Sequence, residues 1–213
     1  MRKTITEARR IGSLYKFSKP LQKHNNLTNN FESTCFAENN GQAPEIIEFP
    51  VVSFVRPTEN PELSVFCSNL TGIQQSDVEN APTLGVVLKK FEIWLRRTKE
   101  TLGCSFKGQP TTTAIFVTWT DWDISICLWD ECRRKKLPLP GDMLNRIDLK
   151  AIFQQWLGSH KVAQNWRGGL KDALHLVGLR FEGRPHRGID DAKNTARLLL
   201  HLLSKNILDL TTS

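Results

Sequence analysis

The segment TTAIFVTW (112–119) is rich in β-branched and aromatic residues and ends directly on an acidic stretch, TDWD (120–123). Such a run predicts a strand in the core of the protein. The following residues, DISICLWDECRRKK, predict a helix that ends at the breaker LPLPG (137–141). A strand that passes at once into a helix is typical of α/β domains, in which ligands bind beyond the ends of the strands.

Other segments repeat this alternation of strands and helices. EIIEFPVVSFV (45–55) predicts a buried strand interrupted by Pro50, and RIDLKAIFQQWL (146–157) predicts a short strand that runs into a helix. Apolar residues at helical spacing predict further helices at about 83–101, 169–178 and 188–205. In the last helix this spacing predicts a buried face made of Ile189, Ala192, Ala196, Leu199, Leu200 and Leu203.

The fold class that follows is α/β with a mixed sheet. The predicted domain covers residues 28–206, between a basic tail (1–27) and a short C-terminal tail (207–213). Residues 1–27 lack clear hydrophobic periodicity, and this favours a mobile segment.

Acidic residues stand where the strand 112–119 gives way to a helix. Carboxylates in this position point into the crevice where α/β sheets usually bind ligands. Asp121 or Asp123 could equally serve only to cap the following helix. This segment by itself leaves both functions open.

A histidine and an aspartate lie close together in RPHRGIDDAKNTA (184–196). His186 precedes the last predicted helix, and Asp191 lies five residues later, in its first turn. A histidine there can reach a water molecule or a hydroxyl while the aspartate holds a metal ion. The alternative is an exposed loop histidine, with Asp190 and Asp191 stabilising the helix N-terminus through its dipole.

NFESTC (30–35) contains half of a two-carboxylate motif. Two carboxylates at positions i and i+2 of a strand face the same side and can hold Mg²⁺ between them. Glu32 can supply one of the two, whereas Asn30 supplies no charge.

Together, several segments resemble in order and spacing the DEDDh group of 3′–5′ exonucleases, and within it the Eri-like (enhanced-RNAi) exonuclease domain-containing branch. The resemblance covers about residues 30–204, and the segments that carry it are NFESTC, EIIEFPVV, LTGI, NAPT, FVTWTDWD and GRPHRGIDDAKNTA. It implies a ribonuclease H-like fold, in which helices flank a central mixed sheet, with the first strands here weakened or shortened.

The resemblance also implies a site in which two Mg²⁺ or Mn²⁺ ions act on the 3′ end of RNA, with DNA as an alternative. The implied metal ligands are Glu32, Asp123 and Asp191, with Asn30 in place of the first aspartate and Asp121 as a neighbour only. His186 is the implied general base. The implied substrate-binding residues are Phe31, Leu70, Thr71, Ile73 and Trp122, although Phe31 and Ile73 could equally belong to the core.

The chain departs from the family pattern around its first motif. Asn30 removes a charge from between two dications, so metal affinity should fall sharply. HNNLTNN (24–30) offers only Leu27 where a run of apolar strand residues is expected, and Val52 passes directly into Ser53 where a turn and a second strand are expected. An engineered change, a diverged copy, a splice variant and an imperfect gene model are alternatives that the residues leave open.

The net charge of +7 and the pI near 9.3 favour a polyanionic partner, with nucleic acid as the first choice. No apolar run is long enough for a membrane span. We therefore expect a monomeric intracellular protein of the cytoplasm or nucleus. Its predicted function is a 3′–5′ exonuclease; the alternative is an impaired nuclease-derived module that binds RNA 3′ ends or a protein partner.

Overall fold

The computed structural model describes residues 31–38, 41–49, 52–105, 114–144, 146–160 and 166–205. Both predicted tails lie outside these residues, as do Asn30 and Pro50. The domain bounds 28–206 therefore stay a prediction.

The described strands form two ladders. β1 (Glu32–Ser33), β2 (Ile46–Phe49) and β3 (Ser53–Phe54) pair antiparallel in the order β1-β2-β3. β4 (Phe116–Thr118) and β5 (Arg146–Asp148) pair in parallel. Antiparallel and parallel pairing thus both occur, as expected for a mixed sheet. Within the described residues, no hydrogen bonds join the two ladders into one sheet.

The predicted strand 45–55 is two strands joined by a tight reversal. Phe49 pairs with Ser53, and the Val52 N–H donates a hydrogen bond to the Phe49 carbonyl at 3.1 Å. Proline has no N–H to donate to a ladder, so a strand tends to end where one stands. The short connection noticed in the sequence is therefore accommodated by closing a hairpin directly after β2.

The helices follow the predicted order, with additions. Their bounds are α1 (Val65–Thr71), α2 (Gln75–Val78), α3 (Leu84–Leu102), a π-helical segment (Asp123–Leu128) that continues into α4 (Trp129–Arg134), α5 (Leu149–Ser159), α6 (Leu170–Leu176) and α7 (Gly188–Ser204). A short 3₁₀ turn spans Gly141–Leu144. The sequence did not predict α1 and α2, because their apolar positions are too few for a clear periodicity.

Strand β4 is covered on both faces. Phe116 lies in a core with Phe49 and Phe91, and ring centroids are 5.0 Å apart for Phe49–Phe91 and 6.0 Å apart for Phe91–Phe116. Ile115 and Val117 belong to a second core, to which α5, α6 and α7 contribute. Alternate side chains of a strand point to opposite faces, so β4 separates two helical layers and its end lies between them.

The buried face of α7 differs from the predicted one. Ala192 is buried as expected, but the other buried residues are Gly188, Asn194, Thr195, Leu198 and Leu202. The Asn194 Nδ2 group donates a hydrogen bond to the Glu182 carbonyl at 2.7 Å, and its Oδ1 atom accepts one from the Glu182 N–H at 3.0 Å. Because Asn194 is buried with these hydrogen bonds, the buried face of α7 is centred away from the apolar stripe that the sequence predicts.

Candidate active site

The four residues predicted to be catalytic all line one cleft of about 520 Å³. They are Glu32 from β1, Asp123 from the start of the π-helical segment, His186 from the loop before α7, and Asp191 from the first turn of α7. Three separate stretches of the chain therefore bring a histidine and three carboxylates to one opening. Asn30 lies outside the described residues, so its predicted place beside Glu32 stays a prediction.

Asp123 is almost fully buried, with 6% of its surface exposed. Its Oδ1 atom accepts a hydrogen bond from the Phe31 N–H at 2.9 Å. Burial raises the pKa of Asp123 to about 7, against the opposing effect of that hydrogen bond. The carboxylate therefore does more than begin a helix, because it joins the π-helical segment to the chain just before Glu32.

Asp191 holds the loop that carries His186. Its Oδ2 atom accepts a hydrogen bond from the His186 N–H at 3.0 Å. His186 is exposed and has a φ of 61°, a left-handed conformation that is uncommon for residues other than glycine. The exposed-histidine alternative and the catalytic interpretation are thus compatible, because the exposed residue lines the cleft.

Burial and neighbouring charges raise the pKa values of the three carboxylates. Burial and then the charges of Asp191, Glu48 and Asp123 raise the pKa of Glu32 to about 9. Burial also raises the pKa of Asp191 to about 7, with Asp190 and Glu48 contributing. Among the described residues, no lysine or arginine forms an ion pair with Glu32, Asp123 or Asp191. The described residues therefore supply these three carboxylates with no ion-pair partner.

The donor chemistry of this cluster fits a divalent cation such as Mg²⁺ or Mn²⁺, because such ions prefer carboxylate oxygens. The three carboxylates nevertheless lie too far apart in this arrangement to surround one ion together. Within the described ranges, no three His, Cys, Asp or Glu side chains lie close enough together to form a ready-made metal site. The residues that could hold a cation are Glu32, Asp123 and Asp191.

Asp121 is a neighbour of the cluster, as the resemblance implied. Its Oδ2 atom accepts a hydrogen bond from Arg146 Nη2 at 3.0 Å, and it does not line the cleft. Arg146 begins β5, so this ion pair joins the turn after β4 to the neighbouring strand.

The five predicted substrate-binding residues separate into two groups. Leu70 and Trp122 line the cleft, and Trp122 is 43% exposed. Phe31 also borders the cleft, but its ring is 4% exposed and packs on Phe49 at 4.6 Å. Its two predicted roles, in the core and at the substrate, are therefore both compatible with its position.

Thr71 and Ile73 are buried and are not among the residues that line this cleft, so their predicted contact with a nucleotide stays a prediction. Thr71 is buried, and its hydroxyl donates to the Cys67 carbonyl at 2.9 Å and accepts from the Ile73 N–H at 3.1 Å. Ile73 is 3% exposed in a small core cluster that also contains Cys67. Both residues build the turn that follows α1, because this turn reverses the chain into that core.

The cleft also contains residues that the sequence did not single out. Lys171 is exposed at its edge and supplies a positive charge, and Trp119 and Phe181 add aromatic surface. Glu48 lies against the cluster without being predicted. A signal for Glu48 did exist, because a charge between Ile47 and Phe49 interrupts an otherwise apolar strand.

An arrangement of buried carboxylates and an accessible histidine at the end of a core strand is compatible with a metal-assisted hydrolase acting on phosphate esters. A model of the exonuclease family, RNase_T, matches residues 32–199. The chain belongs to this exonuclease family and, within it, to the Eri-like 3′–5′ exonucleases of the DEDDh group.

The chain is similar to two named relatives. It is 40% identical over 194 residues to zebrafish (Danio rerio) ERI1 exoribonuclease 2, an alignment that covers 82% of this chain and 34% of the relative. It is 37% identical over 202 residues to the Drosophila melanogaster 3′-5′ exonuclease Snipper, covering 84% of this chain and 69% of that one. The chain thus spans about a third of the length of ERI1 exoribonuclease 2.

A solved structure confirms the predicted fold class. The nuclease domain of 3′hExo, a DEDDh family member bound to rAMP, superposes with a TM-score of 0.71 at 32% identity. The superposition covers 84% of this chain and 92% of the other. The ribonuclease H-like α/β fold expected from the sequence is therefore correct.

Proposed function

We propose that this chain removes nucleotides from RNA 3′ ends by hydrolysis supported by two divalent cations, Mg²⁺ or Mn²⁺, with DNA 3′ ends as an alternative substrate. The observation that carries the proposal is the convergence of Glu32, Asp123 and Asp191 with His186 on one cleft. Family membership supports the same reaction class, and the rAMP bound to 3′hExo supports a nucleotide as ligand.

The carboxylates and the histidine have different roles in this proposal. Glu32, Asp123 and Asp191 hold the cations, which when bound supply positive charge to the scissile phosphate and make water more acidic. His186 takes a proton from the attacking water, since an imidazole can change its charge near neutral pH. The hydrogen bond from the His186 N–H to Asp191 keeps His186 at the cleft.

Leu70, Trp122 and Lys171 are proposed to hold the last nucleotides of the strand. Apolar and aromatic side chains stack on the bases of single-stranded nucleic acid without demanding a sequence, and cations attract its backbone. All three residues line the cleft. A relative whose structure concerns 3′-end-specific recognition of a histone mRNA stem-loop is 31% identical to this chain, which supports RNA as substrate.

Asn30 favours a second candidate function. Without a carboxylate at this position, one of the two cations loses a charged ligand, and turnover depends on it. The chain would then bind RNA 3′ ends, or a protein partner, without cutting.

The experiment that separates these functions compares the protein with its Asn30→Asp variant on a 5′-labelled single-stranded RNA in Mn²⁺. Progressive shortening from the 3′ end is the expected product, and an RNA blocked by a 3′-phosphate is the substrate control. Asp191→Asn, which has one metal-binding carboxylate fewer, is the matched inactive variant.

If both proteins shorten RNA, three carboxylates suffice for turnover and Asn30 only modulates the rate. If only Asn30→Asp shortens RNA, Asn30 alone prevents turnover, and the protein that carries Asn30 fits the second function, binding without cutting. If neither cuts while both melt cooperatively, the exonuclease proposal fails for this chain, and salt-dependent RNA binding then tests the second function.

A further inference from the structure

Glu48 is a buried glutamate outside all of the acidic motifs. It is the third of the four residues of β2, directly opposite Glu32 in the antiparallel pairing with β1, and is 9% exposed. Directly opposed side chains in such a pair have Cβ atoms about 5 Å apart. Glu48 therefore lies beside Glu32, a proposed metal ligand, on the neighbouring strand of the same sheet.

The carboxylate of Glu48 reaches the start of α7. Its Oε2 atom accepts a hydrogen bond from the Gly188 N–H at 2.9 Å, across 140 residues of sequence. The first N–H groups of any helix lack partners within the helix. Arg187, the N-cap residue just before α7, makes no side-chain capping bond, and Glu48 supplies an acceptor from β2.

Three carboxylates hold alternate N–H groups of the loop before α7. Asp190 accepts from the Arg184 N–H at 3.1 Å, Asp191 from the His186 N–H at 3.0 Å, and Glu48 from the Gly188 N–H. Asp190 and Asp191 belong to α7 itself, so their bonds move with the loop. Of these three bonds, that of Glu48 alone joins the loop to the strands.

This attachment matters because the loop conformation is unusual. His186 has a φ of 61°, which for a residue with a Cβ atom persists only when its surroundings hold it.

We propose that Glu48 is a positioning residue, whose carboxylate fastens the His186–Gly188 turn to β2, beside Glu32, and so sets His186 and Asp191 near Glu32. Its catalytic consequence rests on the proposed exonuclease function. Its structural consequence, a loop that one acceptor oxygen joins to the strands, does not.

The test compares Glu48→Gln with Glu48→Ala. Glutamine keeps an oxygen that can accept from Gly188, whereas alanine removes the acceptor. Hydrogen exchange of the peptide covering 183–191 should speed up at least about tenfold in the alanine variant and stay near the wild-type rate in the glutamine variant. In the Asn30→Asp background, kcat on RNA should fall roughly 10–100-fold for alanine and a few-fold for glutamine, with KM little changed.

Glu45 provides the matched control. It lies three residues away, one position before β2, and is also buried, but it accepts its hydrogen bonds from the N–H groups of Thr58, Glu59 and Asn60. Glu45→Ala should lower the melting temperature while leaving exchange at 183–191, and kcat per folded molecule, unchanged.

Unchanged exchange at 183–191 in Glu48→Ala would overturn the proposal. So would a glutamine variant as impaired as the alanine variant in both exchange and kcat, because the charge and not the acceptor would then matter. If no variant cuts RNA but exchange responds as expected, the exonuclease function fails and the positioning role of Glu48 stands.

Discussion

Carboxylates near the two ends of β2 lie in opposite electrostatic surroundings. Glu45, just before the strand, accepts hydrogen bonds from three backbone N–H groups and forms an ion pair with Lys135, whose ammonium also contacts Glu131 at 2.7 Å. Glu48, near the other end, lies with Glu32 and Asp191, and these carboxylates repel one another.

The pKa values follow this difference. Burial alone would raise the pKa of Glu45, but the hydrogen bonds from Lys135 and the backbone outweigh it and lower the pKa. Burial and, after it, the charges of the neighbouring carboxylates together raise the pKa of Glu32 to about 9. The comparison teaches that the Glu45 cluster contains a cation of its own, whereas no described lysine or arginine forms an ion pair with Glu32 or Asp191.

The largest loss of stability is expected from removing the Lys135 ammonium, the cation of the Glu45 cluster. Lys135→Met leaves Glu45 and Glu131 buried without their partner, and breaking a buried ion pair in this way costs about 3–5 kcal/mol. Chemical denaturation should show this loss in the free energy of unfolding. Lys136→Met, at the exposed neighbouring lysine, is the matched control. Equal losses in the two variants would mean that the Glu45 cluster does not need its cation.

The next effect is expected from supplying a cation to the cleft. Mn²⁺ at 100 times its dissociation constant should stabilise the folded protein by about 2.7 kcal/mol, because only the folded state assembles the carboxylates. Thermal melts with Mn²⁺ and with EDTA measure the shift. Asp191→Asn should abolish most of it, whereas Glu45→Gln should not. A shift of the same size in Asp191→Asn would place the cation elsewhere.

The two clusters should respond to pH with opposite signs. Glu32 has a folded pKa of about 9 against 4.5 when unfolded, so the folded protein retains a proton that the unfolded chain releases between these values. Stability without metal should therefore fall as pH rises from about 4.5 to 9, by at most about 1.4 kcal/mol per pH unit for each such proton.

Glu45 contributes the opposite slope. Its folded pKa is lowered, so its stabilisation is present above pH 4.5 and is lost as pH falls below that value. Denaturation curves in EDTA from pH 3 to 9 test both slopes, with Glu32→Gln and Glu45→Gln as the matched variants. A slope at alkaline pH that survives in Glu32→Gln would contradict the assignment to that carboxylate.

The smallest effect is expected from neutralising one carboxylate of the cleft. At pH about 5.5 in EDTA, Glu32→Gln should raise the free energy of unfolding by roughly 1 kcal/mol, because the wild-type carboxyl must take up a proton to be buried and glutamine need not. The same variant should lose activity on RNA in the Asn30→Asp background. Glu45→Gln should be destabilised instead. Destabilisation of Glu32→Gln would show that its charge supports folding.

The local contexts of the site residues predicted their place at the ends of strands and helices, whereas their assignment to one site came from the family resemblance. Asp123 follows a β-branched strand, and His186 and Asp191 flank the start of a helix with clear periodicity. Burial was harder to predict. Thr71 and Ile73 share a segment with Leu70, yet only Leu70 lines the cleft, because the turn after α1 directs its neighbours into a core.

The amino-acid sequence by itself determined the α/β class, most of the order of strands and helices, and the residue types available to the cleft, because these depend on local periodicity and chemical type. The tertiary structure decided which of them meet. The bonds from Phe31 to Asp123, from Gly188 to Glu48 and from Lys135 to Glu45 span 92, 140 and 90 residues. Such contacts depend on how distant elements pack and on which buried groups need partners, and no local pattern encodes this.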